Sequence, residues 1–336
     1  MSGPILIWGA GAIGGTLGAY WARAGQDVLL VDQEAAHVAA MNAGGLRIEG
    51  PVETFTQPVR ALTPDQVTGS YGRIVLAVKA HHTGQAMRQL LPHLAADGYV
   101  LSAQNGLNEL EIAAIAGAAR TMGCFVNFGA DWHGPGLVMY GNRGAVVVGE
   151  IDGEVRQRTR EMHELLRLFE PDAVLTGDIW GYLWGKLGYG AILFGTALSM
   201  ASMAEAIGSP RHYGAWKALG AEVMRVAGAK GVKPRGFNGF DPDAFADGAP
   251  EAATAASIAA MVDFNSKTAK THSGIWRDLA VRRRKTEIDA QIAIIARIGR
   301  EVGVATPTID RLVTLIHDIE EGRRPQSWET LDLLVP

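Results

Sequence analysis

The stretch ILIWGAGAIGG at residues 5–15 restricts what this chain can fold into more than any other segment. Its four leading apolar residues read as a short buried strand that ends where the glycines begin. The following AIGGTLGAYWARAGQ reads as a helix closed near Gly25. Gly9, Gly11 and Gly14 therefore fit G-x-G-x-x-G at a strand-to-helix turn. In such a turn the first glycine permits the tight bend. The second lets backbone approach a pyrophosphate, and the third lets helix and strand pack closely. The helix N-terminus offers free N–H groups to phosphate oxygens. The backbone of Gly9, Ala10, Gly11, Ala12, Ile13 and Gly14 is thus the candidate cofactor cradle.

A second apolar strand, DVLLVD, ends on Asp32, 18 residues beyond Gly14. A carboxylate at that spacing suits a ribose 2′-hydroxyl and repels a 2′-phosphate. No Lys or Arg lies between Arg23 and Arg47 to compensate. NAD is the expected cofactor, with NADP as the alternative.

Apolar strands keep alternating with helical segments through GRIVLAVKA, TGQAMRQLLPHLAADG (interrupted at Pro92) and YVLSAQNG. That order predicts an α/β fold, a Rossmann-type doubly wound parallel sheet. Between 121 and 150 the texture turns to short strands and glycines, expected as antiparallel strands extending the same sheet. GEVRQRTREMHELLRLFE follows as an amphipathic helix. Helices are then expected over 179–207, 210–231, about 252–269, 275–303 and 307–322. A dinucleotide-binding unit over 1–178 and an all-helical substrate and dimerisation unit over 179–336 are expected.

With 336 residues and a net charge of -4, the chain is large enough for two cores and does not attract nucleic acid as a whole. The single cysteine, Cys124, excludes an internal disulfide and any Cys/His zinc spacing, and fits a reducing cytoplasm. No signal peptide is read at the start. GYGAILFGTALSMASMAEAIG at 188–208 carries Glu205 and many small residues, so a buried helix is expected rather than a membrane span. RRRK at 282–285 reads as the solvated face of a helix, and DWHGPG at 131–136 as loop; no metal is expected.

Lys186 lies in YLWGKLGYGAILFG, near Trp180, Trp184 and Leu187. Two readings stay open from the pattern. Burial can lower a lysine pKa, so that it donates a proton to a carbonyl oxygen as hydride reaches the carbon. A surface lysine can equally snorkel from the helix. Glu287 follows the basic run.

The chain resembles the ketopantoate reductases (2-dehydropantoate 2-reductases) along nearly its whole length. The resemblance runs through GAGAIGG, AVKAHHTGQA, AQNGLNE, PGLVMYGNRG, LWGKLGYGAILFGTAL, AEVMRVAGAKGV, KTEIDAQ and IGREVGVATPTID. The ordered set of V-K-A, Q-N-G, L-W-x-K-L and T-E-I-D is its specific part. The resemblance implies a nicotinamide dinucleotide on the N-terminal domain and a small-molecule substrate in the cleft against the helical one. It implies Lys186 as general acid, Glu287 holding substrate and lysine, and Asn105 near nicotinamide and substrate. Lys79 helps bind the cofactor in this likeness. A cytoplasmic homodimer, without nucleic-acid or membrane partners, is the corresponding expectation.

The chain departs from the family pattern in three ways. The asparagines expected four and eight residues after the lysine are Gly190 and Phe194 here. Where the family shows a serine that meets the substrate carboxylate, this chain has Gly274 preceded by Ser273. Asp32 stands where NADP-dependent members carry a basic or neutral residue. The expected substrate is therefore a different 2-oxo acid or related carbonyl compound, with a bulkier and more apolar tail. Trp180, Tyr189, Phe194 and Trp276 are candidate walls, and His272, Ser273 or Asn265 candidate replacements for the lost polar groups. The alternatives are a 2-hydroxy acid or opine-type dehydrogenase, or a dinucleotide sensor without turnover.

Overall fold

Strand and helix alternate from the start of the chain, as the apolar runs and glycines dictate. A computed structural model describes residues 3–268 and 270–335. The chain divides between Ile179 and Trp180 into two units.

The first unit opens with β1 (Ile5–Trp8), α1 (Ala12–Arg23), β2 (Val28–Val31) and α2 (Ala35–Gly44). The short strands β3 (Leu46–Glu49), β4 (Phe55–Gln57) and β5 (Arg60–Leu62) follow, then β6 (Tyr71–Leu76), α3 (Thr83–Leu90), β7 (Leu94–Ser102) and α4 (Asn108–Ala116). After these come β8 (Thr121–Val126), β9 (Gly129–Gly134), β10 (Leu137–Asn142), β11 (Val146–Glu150), α5 (Gln157–Arg167) and β12 (Val174–Leu175).

The main sheet has eight strands in the order β12-β11-β8-β7-β6-β1-β2-β5. From β8 to β5 every pairing is parallel. Its strands are buried on both faces: Ile5 and Ile7 join one core with Leu17 and Trp21, whereas Leu6 and Trp8 join another with Met87 and Ile112. The Trp21 indole, wholly buried, donates to the Leu165 carbonyl at 2.6 Å and so ties α1 to α5.

The 121–150 region differs from the antiparallel extension expected. β8 pairs parallel with β7, and only β11 runs antiparallel to β8. β9 and β10 leave the main sheet and join β3 and β4 in a separate four-stranded sheet, ordered β4-β3-β10-β9. Its alternating burial, with Leu46 and Ile48 inward and Arg47 exposed, is the mark of a sheet covered on one face. The segment after Pro92 is also strand rather than helix, because β7 begins at Leu94.

The second unit is helical: α6 (Ile179–Thr196), α7 (Met203–Ile207), α8 (Tyr213–Ala229), α9 (Glu251–Ser266), α10 (Gly274–Ala280), α11 (Ile294–Glu301), α12 (Pro307–Glu320) and α13 (Trp328–Asp332). Two expected long helices are broken. The 179–207 helix stops at Thr196, and Ser202 starts a new one: its hydroxyl accepts from the Glu205 N–H, and the Glu205 carboxylate accepts from the Ser202 N–H. The 275–303 helix ends at Ala280. Arg283 then adopts a positive φ of 47°, and Asp278 gathers Arg282 and Arg284 at 3.0 and 2.8 Å. The RRRK run is thus a salt-bridged loop rather than a helix face. A π-helical turn, Asp289–Ala293, leads into α11. Among the described residues no helix is long and apolar enough to cross a membrane, and no group of three or more His, Cys, Asp or Glu could hold a metal.

Candidate active site

The adjacent parallel strands β7, β6, β1 and β2 present their carboxyl ends on one edge of the sheet. The chain passes outward from β1 to β2 and β5 on one side, and to β6, β7 and β8 on the other. β1 is therefore the switch point, the place where an open α/β sheet receives its ligand. The glycine turn follows β1, Asp32 follows β2, Lys79 follows β6 and Asn105 follows β7. The expected cofactor residues of the first unit thus share one edge.

The glycines divide the labour as their spacing suggests. Gly9 has φ 103°, and a side chain there would collide with the Val78 backbone nitrogen at 2.6 Å. A Cβ at Gly14 would overlap the Gly9 carbonyl oxygen. At Gly11, the N-terminal flank of α1, a Cβ would meet nothing within 4 Å. A tight turn, a close helix–strand contact and an open backbone face are what a pyrophosphate on a helix N-terminus needs. The residues present fit a dinucleotide. Asp32 stands half-exposed at the strand end, with one carboxylate oxygen accepting from the Glu34 N–H at 3.0 Å.

His37 went unnoticed in the sequence. It is buried in α2, accepts from the Gly136 N–H at Nδ1 (2.8 Å) and contacts the Ala10 carbonyl through Nε2 (2.9 Å). An Nδ1 that accepts leaves the ring hydrogen on Nε2, so His37 donates to Ala10 and fastens the glycine turn to the second sheet. A lone histidine in an alanine-rich helix gave no periodic signal for this role. Glu109, in the first turn of α4, is also fully buried, and desolvation pushes its carboxyl up to about 8. The nearby Ser102 hydroxyl opposes that shift.

In the second unit α6 is almost wholly enclosed. After Trp180, the accessible positions are Tyr182, Lys186, Gly190 and Leu193. Steps of four, four and three place them in one strip along the helix. Lys186 is therefore the charged member of an otherwise uncharged strip. The glycines of this helix are not equivalent. A Cβ at Gly188 would strike the Phe240 ring at 2.6 Å, one at Gly195 the Trp216 ring at 2.5 Å, and one at Gly185 would overlap the Arg235 backbone. At Gly190 it would meet nothing within 4 Å. Gly190 opens the strip one turn past the lysine.

The other expected substrate residues lie elsewhere or are engaged. Phe194 is 1% exposed and belongs to the core, so it does not line the accessible strip. Tyr189 is buried, its hydroxyl paired with the Asn265 amide, which also donates to the Met261 carbonyl. Ser273 caps α10 by accepting from the Trp276 N–H at 3.1 Å. The His272 ring lies tilted against Trp276 with ring centres 4.1 Å apart, and it contacts Thr271 and the Met200 carbonyl. Trp180 is half-buried at the start of α6. Glu287 is half-buried beside Thr286, whose N–H and hydroxyl both bond the Glu320 carboxylate at 2.7 Å.

Comparison with known proteins finds matches over both units. The family model described as "Ketopantoate reductase PanE/ApbA" covers residues 5–153, and its C-terminal counterpart covers 178–320. The chain is 28% identical to the 2-dehydropantoate 2-reductase of Mesorhizobium japonicum, over 95% of this chain and 98% of that one. It is 27% identical to the Archaeoglobus fulgidus enzyme of the same name, again over 95% and 98%. Among solved structures, a ketopantoate reductase of Ralstonia eutropha JMP134 matches with TM-score 0.78 and 25% identity, over 96% of this chain and 99% of that one. A D-mandelate dehydrogenase solved with NADH and anilino(oxo)acetate shares the fold, with TM-score 0.81 at 22% identity over 95% and 99%. The chain belongs to the ketopantoate reductase family, nicotinamide-dependent oxidoreductases that act on a keto group.

Proposed function

We propose that the protein interconverts a 2-oxo acid and its 2-hydroxy acid, with Lys186 as proton donor and NAD as the preferred dinucleotide. The observation that carries this reading is the strip on α6. It places one cation, Lys186, on the accessible face of a helix whose neighbouring strip positions are uncharged. A bound nicotinamide dinucleotide supplies or accepts the hydride. As the keto carbon is reduced, negative charge grows on its oxygen, and the Lys186 ammonium neutralises it by giving up a proton from Nζ. In the oxidative direction the neutral amine takes the hydroxyl proton. Glu287 orients the lysine and substrate, and Asn105 serves the nicotinamide end of the cofactor.

The turn from Gly9 to Gly14 holds the pyrophosphate and Asp32 accepts from the adenosine ribose. The same carboxylate repels a 2′-phosphate, which supports NAD over NADP. Lys79 helps bind the cofactor at the end of β6. A homodimer belongs to this reading by likeness to the family, and sedimentation velocity tests it.

The substrate proposed is a 2-oxo acid with a bulky apolar tail rather than ketopantoate. The strip positions beyond Lys186 are Gly190 and Leu193, and neither side chain can bond a substrate hydroxyl. Sites that recognise a hydroxyl do so through such a bond and discriminate strongly by it. The space at Gly190 instead accepts apolar bulk. Screening 2-oxo acids with NADH and NADPH, followed at the reduced-nicotinamide absorbance, should rank aromatic or branched apolar acids above ketopantoate. Ordinary efficiency with ketopantoate would remove the altered-substrate reading. Replacing Lys186→Ala should cut turnover by about 10²–10⁴-fold while NADH affinity stays near that of the unaltered protein. Unchanged turnover would take Lys186 out of the mechanism.

A further inference from the structure

The loops that carry Lys79 and Asn105 are joined by three buried polar side chains. Thr83, Gln104 and Asn108 are 0%, 4% and 6% exposed. The Gln104 amide nitrogen donates to the Val78 carbonyl at 2.9 Å and to the Thr83 hydroxyl at 2.8 Å. The Thr83 hydroxyl donates to the Asn108 side-chain oxygen at 3.0 Å. The Asn108 amide nitrogen closes the chain on the Asn105 carbonyl at 2.8 Å.

Every direction in this chain is forced. Two backbone carbonyls stand at its ends and can only accept, so both amides must point their nitrogens outward. That turns the Asn108 oxygen toward Thr83, whose single hydrogen goes there and whose lone pair receives Gln104. The Gln104 oxygen is buried without a hydrogen-bond partner among the described residues, so its donors alone orient that amide. The glycine turn is attached to the same assembly, because Gly9 packs on the Val78 backbone.

We propose that Thr83 is a positioning residue for the dinucleotide: through Gln104 and Asn108 it sets the spacing between the Val78–Lys79 loop and the Asn105 turn. The inference rests on the dinucleotide reading above. Thr83 itself touches no reacting atom, and its effect passes through the loops it joins. Binding then depends on a hydroxyl that both accepts and donates, a requirement serine meets and the isosteric valine does not.

The test compares Thr83→Val with Thr83→Ser, using NADH as the probe. Thr83→Val leaves one buried donor and one buried acceptor unpaired. It should raise the NADH dissociation constant and KM by about tenfold, while the KM for the 2-oxo acid changes by less than about twofold. Thr83→Ser should restore NADH affinity to within about twofold of the unaltered protein. A merely structural fault would lower the active fraction, and so kcat, without moving KM. If Thr83→Val does not fold, Asn108→Ala cuts the same chain at the Asn105 side and should raise the NADH KM in the same direction. Unchanged NADH affinity in the folded variant, or a loss that serine does not repair, overturns the proposal. An unaltered protein that binds neither NADH nor NADPH would overturn the dinucleotide reading instead, so the two failures are told apart.

Discussion

Gly14 and Gly190 both lie inside helices that carry the candidate chemistry, yet they do opposite work. Gly14 is enclosed: any side chain would overlap the Gly9 carbonyl, so the turn and helix α1 meet only because nothing is there. Gly190 is open, and a Cβ would touch nothing within 4 Å. The first glycine is demanded by packing and the second leaves space unused by the protein. The cofactor edge is thus built by close contact, whereas the strip along α6 is built by leaving room. A dinucleotide is the constant part of the reaction and tolerates a rigid cradle. A substrate class can change, and an open position on a helix is where it changes at little structural cost.

The largest effect expected from this contrast is at Gly14. Replacing Gly14→Val forces α1 away from the turn. It should weaken NADH binding by more than about hundredfold and destabilise the first unit by about 1–3 kcal/mol, read by fluorescence titration and denaturant unfolding. Binding that survived intact would show that the cradle is looser than its contacts indicate. Next is Asp32→Ser, which removes the carboxylate proposed to meet the ribose. The NADPH to NADH preference, taken as a ratio of kcat/KM, should rise by about tenfold or more.

The enclosed character of the cofactor edge also has a pH signature. Burial raises the Glu109 carboxyl to about 8 from an ordinary 4.5. The folded state then holds this proton more tightly than the unfolded chain does. Stability from this group is full below about pH 4.5 and is lost progressively as pH rises toward 8. Glu109→Gln removes the titration. It should raise the melting temperature by several degrees at pH 8.5 and much less at pH 5. Equal effects at both pH values would break the link between enclosure and charge. The smallest effect should be at Gly190. Gly190→Ala should stabilise α6 by about 1 kcal/mol from helix propensity alone, a melting shift of roughly 2 °C, with NADH binding unchanged. Destabilisation there would show that the open space is needed by the fold.

Much of this was legible in the amino-acid order. The glycine turn, Asp32 and the alternating apolar strands announced a parallel sheet because each carries a local signal: a spacing, a charge at a strand end, a period. The two-unit organisation was visible in the change from strands to helices after Leu175. What failed were features decided by tertiary partners. β9 and β10 read as extensions of the main sheet, because nothing local shows that β3 offers them a different edge. The helix expected through 275–303 breaks where Asp278 draws Arg282 and Arg284 back, a contact that helical propensity does not register. Phe194 read as a pocket wall because it stands at a family asparagine position eight residues past Lys186, but eight residues carry it about 80° round the helix from the lysine, and it lies in the core. The buried chain of Thr83, Gln104 and Asn108 was hidden for the same reason. Its members are polar, scattered in sequence and meaningful only once two loops are side by side.

The imidazole of His37 has a practical consequence. Both its nitrogens are committed, one to Gly136 in the turn between β9 and β10 and the other to Ala10 in the glycine turn. The ring is therefore held in a single tautomer, sensitive at one nitrogen to the backbone that would carry a pyrophosphate. Nitrogen-15 resonances of that one side chain make an intrinsic gauge of cradle occupancy, readable without labelled ligand, catalysis or knowledge of the substrate.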